Sequence, residues 1–150
     1  NALNSTDLYD PSTGTWSVTN SMNAGRYYHT ASILLTGNVL VASGFGNNMY
    51  LNSSELYDPL TGTWTMTGNM NTARMIHTAS ILPSGNILVA GGYGSSGILN
   101  GVEIFNPSTR LWTTVDSMST SRYYHTATPL STGRILITGG RDSSNTAELY

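Results

Sequence analysis

The stretch that decides the fold runs from Arg74 to Gly92 and reads RMIHTASILPSGNILVAGG. Two apolar runs, Thr78–Leu82 and Ile87–Ala90, flank a short Pro-Ser-Gly-Asn segment. Pro, Gly and Asn accept turn conformations, so this pattern predicts an antiparallel β-hairpin. An arginine and a histidine precede the hairpin, and a pair of glycines ends it.

The same unit occurs three times with a step of 48 residues, because Arg26–Gly44 precedes the quoted stretch and Arg122–Gly140 follows it. The residues that recur with this step include Trp16, Trp64 and Trp112, Arg26, Arg74 and Arg122, and His29, His77 and His125. A fixed period of this length is the signature of a repeat architecture. We therefore predict one unit over residues 1–150, with repeats at about 4–51, 52–99 and 100–145 and the start of a further repeat at 146–150.

Two more strand signals follow the hairpin pattern in each repeat. In the middle copy they are Ser54–Asp58 and Thr63–Thr67, joined by a turn that contains Pro59 and Gly62. No segment has the 3.6-residue apolar period of a helix. Four antiparallel strands in each 48-residue repeat predict an all-β fold made of propeller blades, about three in this chain.

The composition excludes several classes of function. Only 9% of the 150 residues are charged, the formal net charge is −2, and there is no cysteine. The charge gives no electrostatic basis for binding nucleic acid, and no apolar run is long enough to insert in a membrane. Without cysteine, disulfides, thiolate metal sites and a cysteine nucleophile are excluded.

The uncharged polar residues are relevant to the cellular location of the protein. All six basic residues are arginines, and Ser, Thr and Asn are abundant, which leans towards a secreted or cell-surface protein without fixing the compartment. Two N-x-S/T sequences begin at Asn4 and Asn52. Chance in such a composition explains them as well as glycosylation does.

The residues resemble the Kelch-repeat family of β-propellers. The middle copy carries the pattern as Gly91-Gly92, Glu55-Leu56-Tyr57-Asp58-Pro59, Trp64, Met70 and Arg74, and the other two copies carry equivalent residues. The first copy departs from the pattern with Asp7 in place of the glutamate. The resemblance implies a propeller scaffold, and it implies binding more than catalysis because the family hosts binding modules and a few enzymes.

Family propellers have more than three blades, so we expect this chain to form an open ring. It opens on a third strand, Asn4–Asp10, and ends on another, Thr146–Tyr150. Free strand edges invite association. Two interpretations remain open: a homodimer that completes a six-bladed ring, half from each chain, or a fragment of a longer repeat protein. The duplicated third strand counts against perfect pairing of two copies.

The repeated polar residues are candidates for chemistry and for framework alike. Three histidines can hold zinc or copper, but their equivalence in successive repeats favours a structural role, so we expect no metal and no cofactor. The arginines could form an anion-reading rim, but we favour ion pairs with Glu55 and Glu103 of the same repeats. The three tryptophans are expected to pack against adjacent blades.

The loops vary between repeats while the framework does not, as expected when a rigid scaffold displays binding residues. The candidates for ligand binding are Tyr28, Phe45, Tyr50, Ile76, Tyr93, Tyr124 and Arg141. We expect a non-catalytic scaffold that binds a protein or peptide through the propeller face that carries these loops. The alternative is a carbohydrate-binding propeller module of a secreted or surface protein, and an enzyme fragment of the Kelch type is less favoured. For any one of these residues, packing between blades is an equally good explanation.

Overall fold

A computed structural model describes residues 1–141 and 146–150. Within these residues the chain forms seventeen β-strands and no helix. In chain order they are β1 (Thr6–Asp10), β2 (Thr15–Thr19), β3 (Thr30–Ile33), β4 (Val39–Ala42), β5 (Phe45–Gly46), β6 (Met49–Tyr50), β7 (Ser54–Asp58), β8 (Thr63–Met66), β9 (Thr78–Ile81), β10 (Ile87–Ala90), β11 (Tyr93–Gly94), β12 (Gly97–Ile98), β13 (Val102–Asn106), β14 (Leu111–Val115), β15 (Thr126–Pro129), β16 (Ile135–Thr138) and β17 (Ala147–Leu149).

Thirteen of these strands form four sheets that succeed one another along the chain. The front sheet is β1-β2, blade A is β3-β4-β7-β8, blade B is β9-β10-β13-β14, and the back sheet is β15-β16-β17. Every pairing is antiparallel. The first strands β3, β9 and β15 lie side by side. The predicted all-β fold of four-stranded propeller blades is therefore confirmed.

Two small hairpins, β5-β6 and β11-β12, lie inside the segments that the sequence indicated only as variable loops. Each connects the second strand of a blade to its third. Asn47 and Asn48 have φ angles of 51° and 59°, the left-handed conformation that a two-residue hairpin turn needs. These hairpins hold the loops of one face in a fixed shape.

The apolar core lies between the blades. One cluster joins blade A to blade B and includes Leu40, Leu56, Val89 and Phe105. A second cluster joins blade B to the back sheet. All four residues of β10 are 0% exposed, because this strand has a neighbouring sheet on each of its faces. Its unbroken apolar sequence is typical of a strand buried on both sides.

The three equivalent tryptophans differ in burial because each packs against the sheet that precedes it in the chain. Trp112 of blade B is 8% exposed, and its indole N–H donates to the carbonyl of Gly68, which follows blade A. Trp64 is half-buried, whereas Trp16 of the front sheet is 69% exposed. The expectation of packing between blades therefore does not describe Trp16, since no described residue forms a sheet on that side of it.

The second glycine of each pair is required by the close approach of two backbone segments. Gly44, Gly92 and Gly140 have φ angles of 104°, 104° and 109°. A Cβ atom at Gly92 would lie 2.7 Å from the carbonyl oxygen of Met75. The first position is more tolerant. Ser43 stands there at φ 62°, and its hydroxyl donates to the carbonyls of Leu51 and Arg74, each at 2.6 Å.

We predict that Gly92→Ala lowers the free energy of unfolding by about 3 kcal/mol or more, since it combines an unfavourable φ angle with a backbone clash. The matched control is Gly14→Ala. Gly14 has φ 70° and nothing within 4 Å of the added Cβ, so only about 1 kcal/mol of backbone strain is expected. Urea denaturation of both variants measures the difference, and equal losses would contradict the clash.

Candidate functional site

The arginines that recur in the three repeats are buried inside the sheets and do not form the anion-binding rim considered above. Arg74 is 0% exposed, and its guanidinium donates to the carboxylate of Glu103 at 2.7 Å. The same guanidinium donates to the carbonyls of Gly91 and Gly101 at 2.9 and 2.7 Å. These acceptors lie after β10 and before β13, so one side chain joins the second and third strands of blade B where their ladder ends.

The equivalent arginines repeat this arrangement. Arg26 pairs with Glu55 at 2.7 Å, and Arg122 pairs with Glu148 at 3.0 Å. The partner of Arg122 is the acid of the third strand in its own sheet, as in the other two pairs. The structure thus places all three arginines in ion pairs, which leaves none of them for an anion-reading rim.

The paired carboxylates also hold the segments that connect successive sheets. Glu55 accepts hydrogen bonds from the backbone N–H groups of Asn23 and Ala24, at 2.7 and 3.0 Å. Burial acts to raise the pKa of Glu55, but the hydrogen bonds from Asn23, Arg26 and Ala24 outweigh it and lower the pKa overall. A carboxylate kept ionised by so many donors serves as a structural anion.

The histidines connect one blade to the next. Nε2 of His77 lies 2.9 Å from the hydroxyl of Thr30, and Nε2 of His125 lies 2.9 Å from that of Thr78. In each pair the threonine belongs to the first strand of the preceding blade. His29 has no such threonine among the described residues and is exposed.

Burial keeps the inner histidines neutral. Desolvation, helped by the charge of Arg74 and the neighbouring His125 and His29, lowers the pKa of His77 to about 3. Desolvation and the charge of Arg122 lower the pKa of His125 to about 4. In the part of the chain that the structure describes, no three His, Cys, Asp or Glu residues are grouped to hold a metal ion.

A continuous row of aromatic rings, partly exposed to solvent, lies on the face that carries the hairpins β5-β6 and β11-β12. Six successive ring contacts with centroid distances of 5.0–6.1 Å join the rings. The rings, in order of contact, are Tyr28, Tyr27, Phe45, Tyr50, Tyr93, Tyr123 and Tyr124. We call this set the aromatic arc. It brings together five of the seven residues predicted from the sequence to bind a ligand.

The ends of the aromatic arc are held by unusual backbone. Tyr28, Ile76 and Tyr124 occupy equivalent positions and have φ angles of 58°, 56° and 55°. A left-handed conformation is costly for any of these residues, and most of all for the β-branched Ile76. The N–H of Ile76 donates to the carbonyl of Tyr28 at 3.1 Å, which ties the two equivalent positions together.

Tyr28 and Tyr124 also meet across Ile76, although they lie two repeats apart. Partial desolvation raises the pKa of Tyr124, and so does the hydrogen bond with the Tyr28 side chain. Half of each side chain is exposed. The two phenol groups therefore face a shared space on the surface, beside Ile76.

Arg141 is the charged residue of this face. It takes the position that Phe45 and Tyr93 hold in the other copies, and it forms a backbone bridge with Tyr123 as they do with Tyr27 and Met75. Its charge acts to lower the pKa of Tyr124, so the guanidinium lies near the end of the arc. The rest of the predicted loop, residues 142–145, falls outside the described residues.

An open depression of about 810 Å³ lies beside the first hairpin of the arc. It is lined by Tyr27, Phe45, Asn47 and Asn48, together with Asn1 and Ala2. The ligand-binding candidates named from the sequence do not include Tyr27, Tyr123 or the two asparagines, although the segments that carry them were expected on the same face. The Tyr-Tyr doublets at 27–28 and 123–124 were the available signal for the two tyrosines.

Comparison with known proteins identifies the family to which this architecture belongs. The family model described as Kelch motif matches residues 26–71 and 78–119, which is more than half of the chain. The chain belongs to the Kelch-repeat family. The resemblance inferred from the sequence is thereby confirmed.

A solved structure described as "Structure of YjhT" matches with a TM-score of 0.75 and 16% sequence identity, which shows a similar fold. The match covers 84% of this chain and 48% of that one, so this Kelch-repeat chain spans about half of the length of the chain it matches. The search of curated protein sequences finds no match. The Kelch repeats, on a fold shared with a solved structure, support a propeller binding module in the general sense.

Membrane-spanning helices were also sought. Among residues 1–141 and 146–150, the structure contains no helix with the length and hydropathy to cross a membrane.

The neutral histidines predict how stability depends on pH. The unfolded chain binds protons at both residues as pH falls below 6.5, while the folded chain does not until pH is near 4 for His125 and 3 for His77. Stability is therefore full above pH 6.5 and is lost as pH falls, by about 2.7 kcal/mol per pH unit when both histidines contribute.

Urea denaturation between pH 7 and pH 5.5 measures this slope, above the range in which the carboxylates add their own effect. His77→Gln keeps a group that can hydrogen-bond to Thr30 and should roughly halve the slope. Stability that does not change between pH 6.5 and pH 5.5 would contradict the neutral buried state.

Proposed function

We propose that this Kelch propeller segment is a non-catalytic scaffold that binds an extended segment of another protein across the aromatic arc. The observation that carries the proposal is the continuity of the arc over three successive repeats. Tyrosine and aromatic side chains are the residues most enriched at binding hot spots, because they bury large areas at little cost in conformational entropy.

The breadth of the aromatic arc favours a peptide over a compact ligand. Six ring contacts lead from Tyr28 to Tyr124, and these two tyrosines also contact each other, so the rings border a broad patch on which several side chains of one peptide can pack. Tyr27, Tyr28 and Tyr124 are 44%, 50% and 55% exposed, which leaves their faces and hydroxyls open to a partner.

The positive charge of Arg141 indicates which charge the bound segment should carry. Arg141 is exposed at the Tyr124 end of the arc. An arginine at the rim of an aromatic surface pairs well with a carboxylate, which it can bind with two hydrogen bonds. We therefore expect the bound segment to carry an acidic residue at that end and apolar or aromatic residues along the rest.

The non-catalytic part of the proposal rests on how the titratable groups are used. The buried carboxylates of Glu55 and Glu103 are held by arginine and backbone donors, and His77 and His125 are held by threonines. Groups held in this way are poorly placed to exchange protons with a substrate.

A carbohydrate is the second candidate, and one observation favours it. The depression beside Tyr27 and Phe45 is lined by the amides of Asn47 and Asn48. An aromatic ring next to amide groups can stack on a sugar ring and hydrogen-bond to its hydroxyls.

A displayed peptide library and a glycan array, each probed with the 150-residue chain, separate the two candidates. Peptide binding should weaken at least tenfold in Tyr28→Ala and Tyr124→Ala, as expected for a central hot-spot residue. Tyr9→Ala is the matched control, since Tyr9 is 48% exposed but lies on the front sheet against Trp16.

Glycan binding that is lost in Asn47→Ala, without any peptide binding, would replace the proposal with the carbohydrate candidate. Peptide binding that is weakened equally by the Tyr9 variant would contradict the role of the arc. The absence of both peptide and glycan ligands would overturn the binding proposal itself.

A further inference from the structure

Ile76 holds a backbone conformation that suits its side chain poorly. Its φ angle is 56°, in the left-handed region, where a β-branched residue is a genuine outlier. The equivalent residues of the neighbouring repeats, Tyr28 and Tyr124, have φ angles of 58° and 55° and are not branched at Cβ. The frame therefore accepts a less strained side chain at this position. Strain that the frame does not require is typical of residues that serve a function.

Ile76 and its neighbour Met75 lie inside the border formed by the aromatic arc. The first strands β3, β9 and β15 lie side by side, so the residues before β9 stand between the tyrosine doublets before β3 and β15. Met75 forms a backbone bridge with Tyr93 of the arc, and the N–H of Ile76 donates to the carbonyl of Tyr28. Tyr28 and Tyr124 also contact each other, so the seven rings border these two side chains. We call Met75 and Ile76 the apolar floor.

The apolar floor differs in chemistry from its border. Both of its side chains are partly buried, and neither carries a group that forms strong hydrogen bonds. The hairpins β5-β6 and β11-β12 beside it carry no acidic residue. A polar or basic side chain on the floor would lose water without gaining a partner, which is unfavourable. A bulky apolar side chain would gain buried area there, and methionine adapts to the shape of its neighbour.

We propose that Ile76 and Met75 select a bulky apolar side chain of the bound segment, which packs on the apolar floor between Tyr28 and Tyr124. This inference rests on the proposed function, in which the aromatic arc binds a peptide. Arg141 lies near Tyr124, so the acidic residue expected there lies close to the apolar one in the bound segment.

The size of Ile76 is what makes room for the bound side chain. Isoleucine is shorter than tyrosine, so position 76 forms a shallow recess between two taller side chains, Tyr28 and Tyr124, which are 50% and 55% exposed. Exposed side chains change rotamer rapidly, so the two phenol groups separate when an apolar side chain enters. A third tyrosine at position 76 would fill the recess and leave a flat row of rings.

Selection from a displayed library of random linear peptides tests this inference, with the 150-residue chain and its Ile76→Tyr variant as baits. The peptides enriched by the wild-type chain should share a bulky apolar residue near an acidic one. Ile76→Tyr should bind these peptides more weakly by about tenfold or more, because the recess is filled. The urea midpoint of this variant should equal or exceed that of the wild-type chain, since both neighbouring repeats hold tyrosine at the same φ angle, and a lower midpoint would contradict the strain at Ile76.

Two further variants separate the recess from general effects of substitution. Ile76→Leu keeps an apolar side chain of similar volume, so it should bind the selected peptides more tightly than Ile76→Tyr by about fivefold or more. Ile33→Tyr is the matched control, because Ile33 is 67% exposed at the far end of β3 from Tyr28. It should bind within about twofold of the wild-type chain.

A change in the peptide gives a test that needs no variant of the protein. Alanine in place of the shared apolar residue should weaken binding to the wild-type chain by about tenfold or more, and to Ile76→Tyr by less than about twofold. Selected peptides without a shared apolar residue, or equal binding by the wild-type chain and Ile76→Tyr, would overturn the inference and leave the aromatic arc as a binding site. If the wild-type chain selects no peptide, the proposed function fails and this inference fails with it.

Discussion

Each buried arginine of this Kelch chain joins two neighbouring sheets, and the rest of the structure depends on that junction. The side chain of Arg74 binds blade B through Glu103 and two carbonyls. Its backbone binds blade A instead, because its carbonyl accepts the N–H of Gly44 and its N–H donates to Leu51. One residue therefore sets the distance and angle between the blades. An unpaired charge at this depth would cost several kcal/mol, so the arginine and its acid must recur together.

The junction explains why the surface residues of the repeats can vary. The arginine, the acid, the histidine and the second glycine fix the backbone of each repeat, including the left-handed residues at 28, 76 and 124. Those three positions accept Tyr, Ile and Tyr, and the aligned positions 45, 93 and 141 accept Phe, Tyr and Arg. A rigid frame with exchangeable surface residues is the usual way in which a scaffold presents a binding site.

Most of the fold could be predicted from the sequence because it is local and repeated. The hairpin over Arg74–Gly92 and the strands Ser54–Asp58 and Ile87–Ala90 follow from apolar runs between turn residues. The ion pairs were one of two interpretations of the recurring arginines. The short hairpins β5-β6 and β11-β12 were missed, because two-residue strands carry no periodic signal.

The candidate site was less predictable, since it is assembled between repeats. The sequence indicated which loops vary, but the continuity of the aromatic arc depends on how neighbouring blades are placed. The same is true of the contact between Tyr28 and Tyr124, which are separated by two repeats. The exposure of Trp16 was also unexpected, because equivalent residues differ only in whether a neighbouring sheet covers them.

A double-mutant cycle on Arg74 and Glu103 tests the central role of the junction. Arg74→Met alone should lower the free energy of unfolding by about 3–5 kcal/mol, because it leaves a buried carboxylate unpaired. The double variant Arg74→Met, Glu103→Leu should lose clearly less than the sum of the two single variants. Arg134→Met, at an exposed position, should change stability by less than about 0.5 kcal/mol. A loss below about 1 kcal/mol for Arg74→Met, with additive effects in the double variant, would contradict the account.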